Sequence, residues 1–67
     1  MNLDILKGKW KQITGEAKKT FGELTDNELQ EIEGDREKFI GKIQEKYGIA
    51  RDEAEKRVDS FLKNHDK

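Results

Sequence analysis

Residues 24–29 read Leu-Thr-Asp-Asn-Glu-Leu, and this stretch decides the fold class. Thr25 and Glu28 have the spacing of a capping box: the Thr25 hydroxyl accepts from the Glu28 N–H, and the Glu28 carboxylate reaches back to the Thr25 N–H. Leu24 and Leu29 stand at the two staple positions that flank it. A helix therefore starts at residue 25, and Gly34 is expected to stop it. Between them only Leu29 and Ile32 are apolar, so the segment 25–33 is a short, acidic, one-faced helix.

Upstream, Leu6, Trp10, Ile13, Ala17 and Phe21 recur at steps of four, three, four and four, the period of one helix face. This predicts a first helix over 3–21. Asn2 is a plausible N-cap, Asp4 suits the positive end of the helix dipole, and Gly22 is expected to stop the helix in the left-handed conformation. Downstream, Phe39, Ile40, Ile43 and Tyr47 predict a third helix over 35–47, again closed by a glycine, Gly48. Ala54, Val58, Phe61 and Leu62 predict a fourth over 51–63, followed by a frayed tail. Ala50 stands three residues before Glu53, so half of a capping box is present without its hydroxyl. The expected fold is all-α: one domain, 1–67, a small bundle in which helices 1 and 2 and helices 3 and 4 form two helical hairpins.

The six glycines, at 8, 15, 22, 34, 41 and 48, form two triplets with a step of seven, offset by 26. The same offset pairs Ile13 with Phe39, Ala17 with Ile43 and Phe21 with Tyr47, the pattern of an ancestral duplication, although Trp10/Arg36 and Ile32/Arg57 break it. An interior glycine costs about 1 kcal/mol relative to alanine. Gly15 and Gly41 are therefore expected to mark a close crossing of the first and third helices, where Gly41→Leu would cost more than about 1 kcal/mol. Trp10, the largest apolar side chain, is expected at the centre of the core, with Trp10→Ala costing about 3–5 kcal/mol.

Composition narrows the function classes. Apolar residues are only 31% of the chain and mean hydropathy is −1.11, so folding depends on pattern rather than on hydrophobic content. The absence of cysteine excludes disulfides and thiolate chemistry. No apolar run approaches the roughly 18–20 residues of a membrane span, and the opening MNLDILKGKW lacks a signal-peptide core, so a cytoplasmic location is expected. A net charge of −1 argues against the uniform field of a dedicated DNA-binding protein. Charge is nevertheless uneven: +3 over 1–22, −6 over 23–37, +2 over 38–48 and zero over 49–67. The basic first helix is expected to lie against the acidic second one.

Groups suited to catalysis or metal binding are few. The single histidine, His65, lies in the tail, and phosphate-loop, dinucleotide, HExxH and EF-hand spacings do not occur. Paired acids such as Asp52-Glu53 and Glu31-Glu33 read as helix solvation and complement to the helix dipole. Neither catalysis nor a metal or cofactor is expected. Lys7, Lys9, Lys11, Lys18 and Lys19 surround Trp10 in a cationic amphipathic arrangement suited to phosphates or an anionic membrane surface. Because Trp10 shares its face with Leu6, Ile13 and Ala17, it reads as a core residue rather than a stacking platform. A nucleic-acid or protein partner is compatible with the lysines but not indicated by net charge, and a monomer is expected.

The stretches GKWKQITGEAKKTFGELTDNE and EGDREKFIGKIQEKYGIARDEAE resemble the CsbD-like family of small bacterial general-stress-response proteins. The most specific parts are Gly8-Lys9-Trp10-Lys11-Gln12, Phe21-Gly22-Glu23-Leu24-Thr25-Asp26, and Gly41-Lys42-Ile43-Gln44 leading to Tyr47-Gly48. The resemblance implies a compact bundle of orthogonally packed helical hairpins and a bacterial cytoplasmic protein whose abundance rises under stress. Ala50 departs from the hydroxyl residue often found there. No catalytic or ligand residue comes with the resemblance, so Trp10, Gly15, Thr25, Glu28 and Gly41 carry over as structural. The resulting expectation is a non-enzymatic stress-response protein. Its rival is a module binding nucleic acid, an anionic membrane surface or a protein partner through the Lys-rich first helix.

Overall fold

The computed structural model describes residues 3–64, with side chains from Lys7 onward. Four helices follow in order: α1 (Leu3–Thr20), α2 (Asp26–Ile32), α3 (Arg36–Tyr47) and α4 (Arg51–Asn64). The described residues contain no strand. α3 and α4 pack most extensively, while α2 touches both α3 and α1, so the chain closes into a small four-helix bundle. Its radius of gyration, 10.6 Å, matches the roughly 11 Å expected of a packed chain of this length. The N-cap expected at Asn2 and the tail around His65 lie outside the described residues, and the dipole role of Asp4 and the core role of Leu6 rest on side chains that are not described.

The ends of the helices follow local chemistry. The box at α2 forms in full: the Glu28 N–H donates to the Thr25 hydroxyl at 3.2 Å, and the Thr25 N–H donates to Glu28 Oε1 at 3.0 Å. α3 starts one residue later than its pattern predicts, because Asp35 acts as the N-cap and its carboxylate accepts from the Lys38 N–H at 3.1 Å. Gly48 closes α3 in the left-handed region at φ 62°, as its position predicts. The other two stops differ from expectation. Gly22 does not take a positive φ; the chain leaves α1 through a turn in which the Leu24 N–H donates to the Phe21 carbonyl at 3.0 Å. At the end of α2 the left-handed turn begins at Glu33, φ 50°, and only then continues through Gly34, φ 78°.

The core consists of the positions picked out by the helical period. Trp10, Ile13, Ala17 and Phe21 from the first segment meet Leu24, Leu29 and Ile32 around α2. Phe39, Ile40 and Ile43 of α3 and Ala54, Val58, Phe61 and Leu62 of α4 complete it, with Tyr47 and Ile49 packed half-buried at its margin. The expected central residue is displaced. Phe39, fully buried, forms the aromatic hub, in edge-on contact with Trp10 at 5.3 Å, Phe21 at 5.5 Å and Phe61 at 5.9 Å between ring centroids. Trp10 sits at the rim of that cluster because its indole N–H needs a partner, which it finds in the Leu29 carbonyl at 2.8 Å. The Glu33 N–H also donates to that carbonyl, at 3.4 Å, so Trp10 helps to cap the C-terminal end of α2.

Two packing expectations are corrected. A Cβ built on Gly15 or Gly41 meets nothing within 4 Å, and both residues are exposed, so neither marks a helix crossing. Spacing of seven places glycines on one helix face without saying whether that face looks inward, and here it looks outward. Nor does the acidic α2 mainly face the basic α1. Lys18 pairs with Asp26 at 3.0 Å, but Glu28 and Glu31 turn to α3, where they meet Lys46 at 2.8 Å and Lys42 at 2.7 Å. Positions 28 and 31 share one face of α2, 42 and 46 share one face of α3, and the two stripes are opposed.

Candidate interaction surface

The five lysines singled out on α1 are divided by the fold. Lys18 and Lys19, near its C-terminal end, have acidic neighbours: Asp26 for Lys18, and Glu16 at 4.0 Å for Lys19. Lys7 and Lys11 are exposed, Lys9 is half-buried, and none of the three forms an ion pair among the described residues. Lys7 and Lys11 lie one helical turn apart on one edge of α1, with Lys9 on the other. Trp10, between them in sequence, is only 6% exposed and cannot serve as a stacking platform. Thr25 and Glu28 are joined in the capping box, away from this patch.

Elsewhere, charge is largely matched by charge. At the α3–α4 hairpin, Arg36 donates two hydrogen bonds to the Asp59 carboxylate, both at 2.9 Å. Arg51 joins Glu37 at 2.6 Å to Glu55 at 2.7 Å, and Glu55 also lies 3.8 Å from Arg36. The Arg36 guanidinium holds the Asp59 carboxyl below its ordinary value. Glu28 is lowered from 4.5 to about 2, first by its hydrogen bond from Lys46 and then by the Thr25 N–H. Lys42 and Lys46 are correspondingly raised by their hydrogen-bonded glutamates. Sequence periodicity identified none of these inter-helix pairs. The available signal was i,i+4 or i,i+3 repetition of like charge, which gives the stripe but not its partner.

Surface depressions are shallow and open. One, about 450 Å³, lies where the end of α1 meets α4 beside Tyr47. The Arg57 guanidinium covers the Tyr47 ring, 5.6 Å from its centroid, and donates to Glu53 at 3.4 Å, while the Tyr47 hydroxyl accepts from the Glu23 N–H at 3.4 Å. A second depression beside Gly41 is bordered by the Lys42–Glu31 pair, and a third beside Gly15 by Lys18–Asp26. Among the described residues no acidic or histidine group is arranged to hold a metal ion, and every buried side-chain polar atom has a hydrogen-bond partner. No described helix is long and apolar enough to cross a membrane. The ion pairs of this surface hold α2 to α3 and α3 to α4.

Known bacterial proteins are similar to this chain along most of its length. The family model described as CsbD-like matches residues 4–56. The UPF0337 protein YjbJ of Escherichia coli is 52% identical over 66 residues, covering 98% of this chain and 96% of its own. A UPF0337 protein of Pseudomonas aeruginosa is 49% identical over 61 residues, covering 91% and 94% of the two chains. Another, from Bordetella pertussis, is 52% identical over 62 residues, covering 92% and 94%. A match of this depth spans all four helices, from the lysines of α1 to the last turn of α4, and the chain belongs to the CsbD-like family.

Proposed function

We propose that this chain is a non-enzymatic general-stress-response protein of the bacterial cytoplasm, acting as a folded monomer. The observation that carries the reading is the near end-to-end match to UPF0337 relatives of similar length, which supports a role for the four-helix bundle as a whole. The construction of the bundle supports it. Its buried side chains are apolar apart from satisfied hydrogen bonds, and its acids and bases are used to tie α2 to α3 and α3 to α4.

The test is quantitative detection of the protein in its bacterial host during growth and after entry into stationary phase, osmotic upshift, acid and heat. A rise of several-fold under at least one stress, with reduced survival of a deletion strain restored by the wild-type gene, is the expected result. A constant level under all four conditions and an unimpaired deletion strain would remove the stress-response assignment. Sedimentation of the purified chain at a mass above one copy would remove the monomer.

A further inference from the structure

We propose that the N-terminal half of α1 docks through Lys7, Lys9 and Lys11 on the sugar-phosphate backbone of double-stranded nucleic acid, without reading its sequence. Residues 5–15 contain these three lysines and no acid. Nor do the facing elements neutralise them: in α2, Asp26 is taken by Lys18, Glu28 by Lys46 and Glu31 by Lys42. The contrast with the rest of the molecule is local and specific. Arg36, Lys42, Lys46, Arg51 and Arg57 all have carboxylate partners. The other described lysines without an ion pair, Lys38, Lys56 and Lys63, are spread over α3 and α4 among acids. Among the described residues, the patch on the first half of α1 is thus a concentration of positive charge without an ion-pair partner, on a chain of net charge −1. Gly8 and Gly15 add no side-chain bulk to the outer face of the same helix, so a broad, rigid polyanion can lie close along it.

The structure selects among polyanions. An anionic membrane requires an apolar helix face to insert, but the described apolar residues of α1, Trp10, Ile13 and Ala17, are already buried in the core. Single strands are held by exposed aromatic side chains, yet Trp10, Phe21, Phe39 and Phe61 are buried, and Tyr47 lies half-buried beneath Arg57. A protein partner needs a central apolar or aromatic anchor, and among the described residues this lysine patch has none. Contact with the phosphates of a duplex needs only positive side chains on a rigid element. This inference does not depend on the stress-response reading.

The experiment is fluorescence anisotropy of a labelled DNA duplex of about 30 base pairs, titrated with the full chain from about 20 to 200 mM salt. Three phosphate contacts predict a slope of log affinity against log salt of about −2.7, which is roughly a 40-fold loss between 50 and 200 mM. Lys7→Gln/Lys9→Gln/Lys11→Gln, which retains good helix formers, should abolish binding, while Lys56→Gln/Lys63→Gln should leave it within about twofold. Lys11→Gln alone should make the slope shallower by about 0.9, a readout that a loss of folding would not produce. Absence of binding at the lowest salt, an unchanged triple variant, tighter binding to single strands, or preferential capture on phosphatidylglycerol vesicles would each overturn the proposal.

Discussion

Trp10 shows how one side chain can belong to two parts of the structure. Its ring meets Phe39 edge-on, while its N–H donates to the Leu29 carbonyl at the end of α2. Trp10→Phe keeps an aromatic edge and loses the donor; it should cost about 1–2 kcal/mol, since Leu29 retains the weaker bond from Glu33. Trp10→Ala also empties the rim of the core and should cost about 3–5 kcal/mol. Urea denaturation separates the two, and equal losses would mean that the hydrogen bond outweighs the packing. The glycines give the opposite test. Gly15 and Gly41 are helical, exposed and have no neighbour to obstruct a methyl group, so alanine at either should stabilise by about 0.5–1 kcal/mol. For a domain this small, that is a rise of several degrees in Tm, at about 4–8 °C per kcal/mol. Gly48→Ala, forced into φ 62°, should instead lower it. A melt in which Gly15→Ala or Gly41→Ala destabilises would restore the close helix crossing that the open space at these positions contradicts.

At the scale of the element, the informative signals were those that the chain completes within a few residues. The capping box at Thr25 was legible because donor, acceptor and staple all lie between 24 and 29, and the structure closes it in both directions. Gly48 was legible for the same reason, as a stop directly after the last apolar residue of α3. Gly22 was not, since a turn can reverse the chain without a left-handed residue, and the Phe21–Leu24 hydrogen bond does so here. The patch on α1 was legible as a row of lysines, but which of them stay unpaired depends on neighbours distant in sequence. α4 tests the cap logic directly: the Ala50 carbonyl accepts from the Ala54 N–H at 3.0 Å, but alanine has no side-chain oxygen for the other free N–H groups of that end. Ala50→Ser should stabilise by about 0.5–2 kcal/mol, and Thr25→Ala should destabilise by a similar amount. Thermal melts of the pair check both, and Ala50→Ser without gain would mean that water already serves that end equally well.

At the scale of the whole molecule, the ion pairs join elements that the core alone would hold less specifically, and they give the bundle a defined response to pH. α2 is only 7 residues long, too short to persist alone in water, and its outer face is fixed to α3 by Glu28–Lys46 and Glu31–Lys42. The Glu28 carboxyl titrates near 4.5 in the unfolded chain and at about 2 in the folded one. Because the folded value is the lower, its contribution is complete above about pH 4.5 and is lost as pH falls towards 2. Asp59, lowered by Arg36, acts in the same direction. Lys42 and Lys46 are raised above 10.5, so their contribution is complete below that value and is lost only in stronger alkali. Stability governed by these groups should therefore be flat across neutral pH and fall on the acid side. Glu28→Gln isolates the cause, because glutamine still completes the capping box while leaving Lys46 without its carboxylate. The variant should melt below the wild type at pH 7, and the gap should close progressively between about pH 4.5 and 2 as the wild-type carboxylate takes up its proton. A gap that stays constant over that range would mean that the variant is destabilised by something other than the loss of the Glu28 charge, such as a poorer fit of the amide against Thr25 and Lys46.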